Sequence, residues 1–373
     1  MTAIALADSP DADRVLVTVF LRGGADGLAL VPPVLDDAYH RARPRLGVPA
    51  SRALPLGGVF GLAPELAELH PWFLEGRLAV VHAVGSDDDS RSHFVAQELM
   101  ERGGAGSAGG WLGRWLRARG AAGALTAVAT GPEVPDSLRG APSATALAGL
   151  MELAPGAGWS GLCASLSELY RRDTQLAGPA KDAVAAAERV ARLRTDGLRP
   201  EHGAHYPTAI DGEAALAFGR QLAEVAALIR ARVGLAAACV DLPGWDSHFA
   251  QETIVGPRMR ALALGLSAFA TDLGPALSRT SVVVMTEFGR RVAENASLGS
   301  DHGRGGVMFV LGGGTPGGMH CQWPGLEVER LEGPGDLPVA HDYRDVLSAV
   351  LRRHGQAHPR LTFPEHHPDS LPV

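Results

Sequence analysis

Six short apolar runs, separated by stretches of helical periodicity, constrain the fold of this chain most. Nearly continuous apolar runs predict strands that are buried on both faces of a sheet. The runs lie at residues 14–21, 77–85, 124–130, 234–240, 281–285 and 307–311. Apolar residues at helical spacing lie between them, at Phe218, Leu222, Val225 and Ile229, and again at Leu262, Leu266, Phe269 and Leu273. This alternation predicts an α/β fold, with a mainly parallel sheet and helices on both of its faces.

The domain organisation follows from length and composition. The chain has 373 residues, of which 46% are hydrophobic, enough for one large core. Residues 1–13 are predicted to be a polar N-terminal segment, and residues 14–373 a single α/β/α domain. Within that domain, residues 131–210 are rich in Gly, Pro and Ala and contain a helical stretch at 180–193. We interpret this region as an insertion or cap.

Charge and cysteine content exclude several classes of protein. The net charge is −7, which gives no support to a nucleic-acid partner. The three cysteines are too few and too scattered for a disulfide framework or a cysteine-type zinc cluster. The sequence shows neither a secretory signal nor an apolar run of membrane-spanning length. These features predict a cytoplasmic protein without a membrane span, or an exported one whose N-terminal signal has been removed.

Acidic and histidine side chains follow the predicted strands. Parallel strands present their ligands at their carboxyl ends. Asp26, Asp246, His248 and Glu287 follow strands directly, and Asp301 and His302 come after the loop 293–300 that follows Glu287. Together they are the ligand types of a divalent-metal site.

Each of these residues also has an ordinary structural interpretation. Asp26 is typical of a turn beside glycine, and Asp301-His302 of a surface turn. Asp246 could orient His248 from behind instead of binding a metal. Glu287 could pair with Arg290 or Arg291. If the site is real, we expect Glu287 and His302 to be direct ligands of one ion.

Ser92 opens a predicted helix directly after the second strand. A helix N-terminus favours an anion, and a serine beside a metal could act as a nucleophile. The alternative is that Ser92 only caps the helix. The segment Ser-His-Phe-Val-Ala-Gln (92–97) is nearly repeated as Ser-His-Phe-Ala-Gln (247–251), and the residues alone do not decide whether this has a shared geometric role.

Ordered motifs along nearly the whole chain carry a family resemblance. They are Phe-Leu-Arg-Gly-Gly-Ala-Asp-Gly-Leu (20–28), Arg-Ser-His-Phe-Val-Ala-Gln (91–97), Gly-Trp-Leu-Gly-Arg (110–114), Gly-Trp-Asp-Ser-His (244–248), Thr-Glu-Phe-Gly-Arg (286–290), Asp-His-Gly (301–303) and Asp-Tyr-Arg-Asp-Val-Leu (342–347). In these the chain resembles the bacterial family of domain of unknown function 1501 (DUF1501). That family is similar to the alkaline phosphatase/sulfatase superfamily, which implies an alkaline-phosphatase-like α/β/α sandwich with a two-metal esterase site.

The resemblance also implies roles for individual residues. Asp26 matches the first metal carboxylate, Ser92 the nucleophile, and Asp246 with His248 an Asp–His ligand pair. Glu287 lies where the superfamily has an aspartate, although Phe288 follows it here in place of histidine.

These patterns lead to one main functional hypothesis, a metal-dependent hydrolase of phosphate or sulfate esters. Its partner would be a small anionic ester, which Arg22 or Arg91 could neutralise. Its cofactor would be a divalent ion, zinc or manganese in preference to magnesium because imidazole is present. The alternative is a non-catalytic metal- or ligand-binding protein that retains the fold.

Overall fold

A computed structural model of the chain describes residues 14–121, 123–147, 149, 159–171, 173, 177–196, 199–355 and 358–367. The predicted polar segment 1–13 lies outside the described residues. The strands are β1 (Val15–Arg22), β2 (Leu54–Gly57), β3 (Phe60–Leu62), β4 (Leu78–Gly85), β5 (Ala127–Ala129), β6 (Thr145–Ala146), β7 (Ala237–Pro243), β8 (Thr280–Met285), β9 (Gly306–Gly312), β10 (Gly318–His320) and β11 (His341–Asp342). The helices are α1 (Gly27–Leu30), α2 (Asp37–Ala42), α3 (His70–Leu74), α4 (His93–Arg102), α5 (Trp111–Ala118), α6 (Trp159–Tyr170), α7 (Ala177–Asp196), α8 (Glu213–Arg230), α9 (Gln251–Leu273) and α10 (Tyr343–Arg353).

The main sheet is mostly parallel. Within the described residues its strand order is β10-β4-β9-β8-β1-β7-β5-β6, and β11 pairs with β4. The central strand β1 is parallel to both β7 and β8, whereas β9 runs antiparallel to β8 and β4. The carboxyl ends of β1, β4, β7 and β8 therefore meet at one edge, where β9 begins.

Side chains of β1 show that both faces of the sheet are buried. Val15, Val17 and Val19 belong to one core cluster, which also contains apolar residues of α8 and α9. Leu16 and Phe20, which alternate with them, belong to a second cluster with residues of α5 and α10. Because successive side chains of a strand point to opposite faces, helices cover the sheet on both sides. The predicted α/β/α arrangement with a mainly parallel sheet is confirmed.

Helix α9 is a core helix. The predicted apolar stripe of Leu262, Leu266, Phe269 and Leu273 is almost completely buried. By length and composition alone the segment Gln251–Arg279 could cross a membrane, but 61% of its apolar window is buried inside the protein. A buried helix of a globular core passes the same test of composition.

The Gly/Pro/Ala-rich region 131–210 contributes both to the sheet and outside it. Strand β6 extends the main sheet beside β5, and the predicted helical stretch at 180–193 lies within α7. That this region forms an insertion or cap stays a prediction.

Candidate metal centre

Tight packing between two loops positions the first candidate ligands. Trp245 is completely buried, and its indole N–H donates to the Leu242 carbonyl at 2.8 Å, which anchors the loop after β7. Gly23 packs directly against this loop, where a Cβ would lie 2.6 Å from the Asp246 nitrogen, and its φ is +122°. Only glycine fits this close approach without strain. The loop thus presents Asp246 and His248 at the carboxyl edge of the sheet.

Three histidines and one aspartate converge at this edge. One ligand atom each from His93, Asp246 and His302 lie within 4.8 Å of one another. His248 joins them, because its Nε2 lies 2.9 Å from His302 Nε2 and 3.2 Å from Asp246 Oδ1. His302 Nε2 is 3.5 Å from Asp246 Oδ1, and His93 Nε2 is 3.6 Å from Asp246 Oδ2. We call these four residues the His₃Asp cluster.

Each histidine of the cluster is oriented through its Nδ1 by an acceptor. The pairs are His93 with Glu287 Oε1 at 2.8 Å, His302 with the Arg91 carbonyl at 2.8 Å, and His248 with Asp301 Oδ1 at 3.2 Å. Carbonyls and ionised carboxylates only accept hydrogen bonds, so each Nδ1 carries the proton. In the neutral imidazole each Nε2 then has a free lone pair that faces the cluster.

The free lone pairs fit a bound cation. His93 Nε2 is buried and has no hydrogen-bond partner among the described residues. His248 Nε2 and His302 Nε2 face each other at 2.9 Å as two acceptors, an arrangement that is repulsive unless a positive charge lies between them. Burial lowers the pKa of His302, and the Arg290 guanidinium lowers it further, although the hydrogen bond to the Arg91 carbonyl acts in the opposite direction. A metal ion at this position would satisfy these nitrogens without protonation.

Glu287 lies behind His93. Its Oε1 accepts from the Gly23 N–H, from His93 and from the Gln97 amide, and its Oε2 lies 3.0 Å from the Thr286 hydroxyl. Burial alone would raise the pKa of Glu287, but these hydrogen bonds bring the pKa below its ordinary value. Its carboxylate is therefore ionised and orients His93. The sequence predicted that Glu287 and His302 are both direct ligands of one ion. In the structure His93 lies between Glu287 and His302.

Arg290 holds Asp246 in place from beneath the cluster. Its guanidinium is fully buried and donates to Asp246 Oδ1 at 2.7 Å and to the carbonyls of Gly23, Gly24 and Ser300. Burial acts to raise the pKa of Asp246, but the hydrogen bond and charge of Arg290 lower it below its usual range. The structural alternative for Glu287 was an ion pair with Arg290 or Arg291, but in the structure Arg290 pairs with Asp246 and Arg291 lies near Asp301. Asp246 keeps 48% of its side chain exposed, so the cluster is open to solvent.

Asp301 lies behind His248 in the same way. Its Oδ1 also accepts from the Asn295 amide at 3.2 Å, and its Oδ2 lies 3.6 Å from Arg291. Burial acts to raise the pKa of Asp301, but the hydrogen bonds from Asn295 and His248 lower it. The predicted Asp301-His302 pair is thus divided in role, because His302 faces the cluster and Asp301 orients another ligand.

Asp26 is held away from the cluster. Both of its oxygens bind the Arg43 guanidinium, at 2.6 and 3.1 Å. Gln251 Nε2 also donates to Oδ2 at 2.6 Å, and the Leu28 N–H donates to Oδ1 at the start of α1. Asp26 and Arg43 are both completely buried. The geometry places Asp26 in an internal ion pair that fixes the loop after β1.

Of the predicted catalytic residues, Arg22 and Arg91 have other partners, whereas Ser92 is not held by a capping bond. Arg22 binds Asp241 at 2.9 Å and Glu101 at 2.5 Å. Arg91 donates from Nε to Asp336 at 3.0 Å, and its φ of +52° turns its carbonyl toward His302. Ser92 occupies the N-cap position of α4, but its side chain makes no capping hydrogen bond there.

Sequence reasoning missed His93, although a signal was present. The near-repeat of 92–97 and 247–251 has a shared geometry, because His93 and His248 both enter the cluster. In each copy the glutamine donates to a buried carboxylate, Gln97 to Glu287 and Gln251 to Asp26. The two histidines occupy equivalent positions in the repeat, and His93 lies directly after the candidate nucleophile Ser92.

Comparison with known proteins identifies the family. The family described as Protein of unknown function (DUF1501) matches residues 79–369. The chain therefore belongs to the DUF1501 family, and the resemblance predicted from the motifs is confirmed. The sequence has no match among curated proteins. Among solved structures it is similar to the PsFucS1 sulfatase from Pseudoalteromonas sp., with 12% sequence identity, a TM-score of 0.37, and coverage of 94% of this chain and 70% of that chain.

Proposed function

We propose that this member of the DUF1501 family is a divalent-metal-dependent hydrolase of phosphate or sulfate esters. The observation that carries the proposal is the convergence of three imidazole Nε2 lone pairs and the Asp246 carboxylate, each imidazole being fixed through Nδ1. Histidine ligands with an acceptor behind the second ring nitrogen are the usual arrangement of a metal site.

The chemistry of the donor set favours zinc or manganese over magnesium. Three imidazoles and one carboxylate suit a borderline transition metal, whereas magnesium prefers oxygen ligands. A tetrahedral ion with bonds near 2.0 Å separates its ligand atoms by roughly 3.3 Å. The distances from the Asp246 carboxylate oxygens to the three Nε2 atoms, between 3.2 and 3.6 Å, are of this size.

The residues of the chain would divide the work as follows. A divalent ion would supply Lewis-acid activation of the ester and of the attacking hydroxyl. Glu287, Asp301 and the Arg91 carbonyl hold the three imidazoles in their ligating tautomer. Ser92, adjacent to His93 and free of a capping bond, is the candidate nucleophile.

One observation favours a non-catalytic alternative. Both guanidiniums that the sequence assigned to the anionic ester, Arg22 and Arg91, already bind carboxylates. A protein that binds a metal or ligand without turnover would need neither of them for a substrate.

The test combines metal content with turnover. Tag-free protein is analysed for bound metals and assayed with phosphate and sulfate esters, next to His302→Ala and the exposed control His205→Ala. The proposal expects bound zinc or manganese and metal-dependent hydrolysis, both lost in His302→Ala and retained in His205→Ala. Bound metal without hydrolysis of any ester supports the binding protein instead.

A further inference from the structure

An open cleft lies beside the His₃Asp cluster at the carboxyl ends of β1, β5 and β7. Its volume is about 670 Å³, and Arg22, Gln97, Thr130, Gln221 and Asp241 line it together with the loop 131–136. The space is sufficient for a group of the size of one or more six-membered rings.

The cleft and the cluster share a wall. Gln97 lies one turn after His93 in α4, and its amide donates to Glu287, the residue that orients His93. On the other side, Pro243 lines the cleft three residues before Asp246. One helical turn rises about 5.4 Å. A molecule whose ester lies at the cluster therefore has its remaining part within reach of the cleft.

The floor of the cleft consists of polar side chains that already bind one another. Arg22 donates to Asp241 at 2.9 Å and to Gln97 at 3.1 Å. Elsewhere in the lining, the Thr130 hydroxyl donates to Gln221 at 2.7 Å. Planar amide, guanidinium and carboxylate groups offer paired donors and acceptors, which suit neighbouring hydroxyl groups that both donate and accept.

The charges of the cleft disfavour a second anion. Arg22 is the cation of its lining, and it is bound by two carboxylates, Asp241 and the largely buried Glu101. Glu133 adds a further negative charge to the lining. A second phosphate, sulfate or carboxylate would meet acidic groups without a free positive partner.

An exposed aromatic residue lies on the same side of α4 as Gln97. Phe94 is 88% exposed, an unusual state for so large an apolar side chain. Phe94, Gln97 and Glu101 are spaced i, i+3 and i+7, so they share one side of α4. Gln97 lines the cleft and Glu101 binds Arg22, which fixes that side as the one toward the cleft. Phe94 therefore offers a flat apolar surface on the side of α4 that faces the cleft.

We propose that the cleft binds the uncharged polyhydroxylated ring, a sugar or a cyclitol, that carries the ester. The hydroxyl groups of this ring form hydrogen bonds with the polar side chains that line the cleft, and its C–H groups pack against the Phe94 side chain. The placement of the ester at the cluster rests on the proposed hydrolase function, whereas recognition of the ring by the cleft does not require turnover.

The experiment measures binding of rings that carry no ester. Saturation-transfer NMR is recorded with methyl hexopyranosides and myo-inositol as probes, on chelator-treated and on zinc-loaded protein. Phe94→Ala and Gln221→Ala are compared with wild type, and Phe249→Ala is the matched control. Phe249 is also exposed, at 62%, and also follows a histidine of the cluster.

We expect at least one of these probes to bind wild type with or without zinc. Phe94→Ala should weaken its affinity roughly fivefold, the size of one aromatic contact, and Gln221→Ala should also weaken it. Phe249→Ala should match wild type. Absence of binding by every ring overturns the proposal, and so does equal loss in Phe94→Ala and Phe249→Ala. Stronger binding of choline, measured in parallel as a cationic probe without a hydroxylated ring, also overturns it. Ester hydrolysis without ring binding would agree with the proposed hydrolase function and would refute only the assignment of the cleft as the ring-binding site.

Discussion

The buried ion pair between Asp26 and Arg43 provides a test of whether Asp26 has a structural role or binds a metal. Both side chains are fully buried, and the Asp26 carboxylate accepts hydrogen bonds from Arg43, Gln251 and the Leu28 N–H. Asp26→Asn keeps the shape but removes the charge, so Arg43 is left as a buried cation without a counter-ion. Breaking a buried pair on one side costs about 3–5 kcal/mol. That is a large part of the total stability of a typical domain.

The loss is measured by urea unfolding followed by circular dichroism. We expect Asp26→Asn to lower the urea midpoint on the order of 1 M, with the content of zinc or manganese unchanged. The exposed Asp37, which also lies near the start of a short helix, supplies the control Asp37→Ala, with a change within about 0.5 kcal/mol. The double variant Asp26→Leu/Arg43→Met should recover part of the loss, because it removes the uncompensated charge. Loss of metal in Asp26→Asn with unchanged stability would refute this account and restore Asp26 as a ligand.

Three further predictions concern the cluster. Glu287→Ala should lower metal affinity about 10- to 100-fold, because His93 loses the acceptor that orients it; metal titration checks this, with the exposed Glu98→Ala unchanged. Ser92→Ala should retain metal and fold but lose at least about a hundredfold in turnover of an ester substrate; full activity would mean that water attacks and Ser92 has no chemical role. The folded-state pKa of Glu287 is lowered, so its ionised form stabilises the fold above its unfolded pKa of about 4 and this contribution is lost as the pH falls further. Urea unfolding of metal-free protein between pH 3 and 7 should therefore show a smaller loss at low pH in Glu287→Gln than in wild type.

The sheet was predictable because its strands carry their own signal. The apolar run 281–285 lies within β8, and the run 307–311 lies within β9. The direction of β9 was not predictable, since a buried antiparallel strand has the same continuous apolar pattern as a parallel one. Its antiparallel direction has a consequence for the site, because it brings the residues before β9, including His302, to the edge where the other strands end.

The candidate site was predictable in composition and not in detail. Asp246, His248 and His302 meet, as suggested by the strand end before the first two and by the loop 293–300 before His302. His93, and not Glu287, faces the cluster. The reason is that Glu287 is fixed by the Gly23 N–H and Gln97, while His93 extends over it from the start of α4. The ion pair of Asp26 depends on Arg43, which is 17 residues away in a loop. Spacing along the sequence gives no indication of such a contact.

The central claim is that three imidazoles and Asp246 hold one divalent ion. X-ray absorption spectroscopy at the zinc or manganese edge, on tag-free protein with its metal content measured, tests it most directly. The account predicts about one ion per chain, with nitrogen and oxygen ligands at roughly 2.0–2.2 Å and imidazole scattering that decreases in His93→Ala. Metal-free protein whose melting temperature ignores added zinc and manganese, or a spectrum unchanged by His93→Ala, would contradict it.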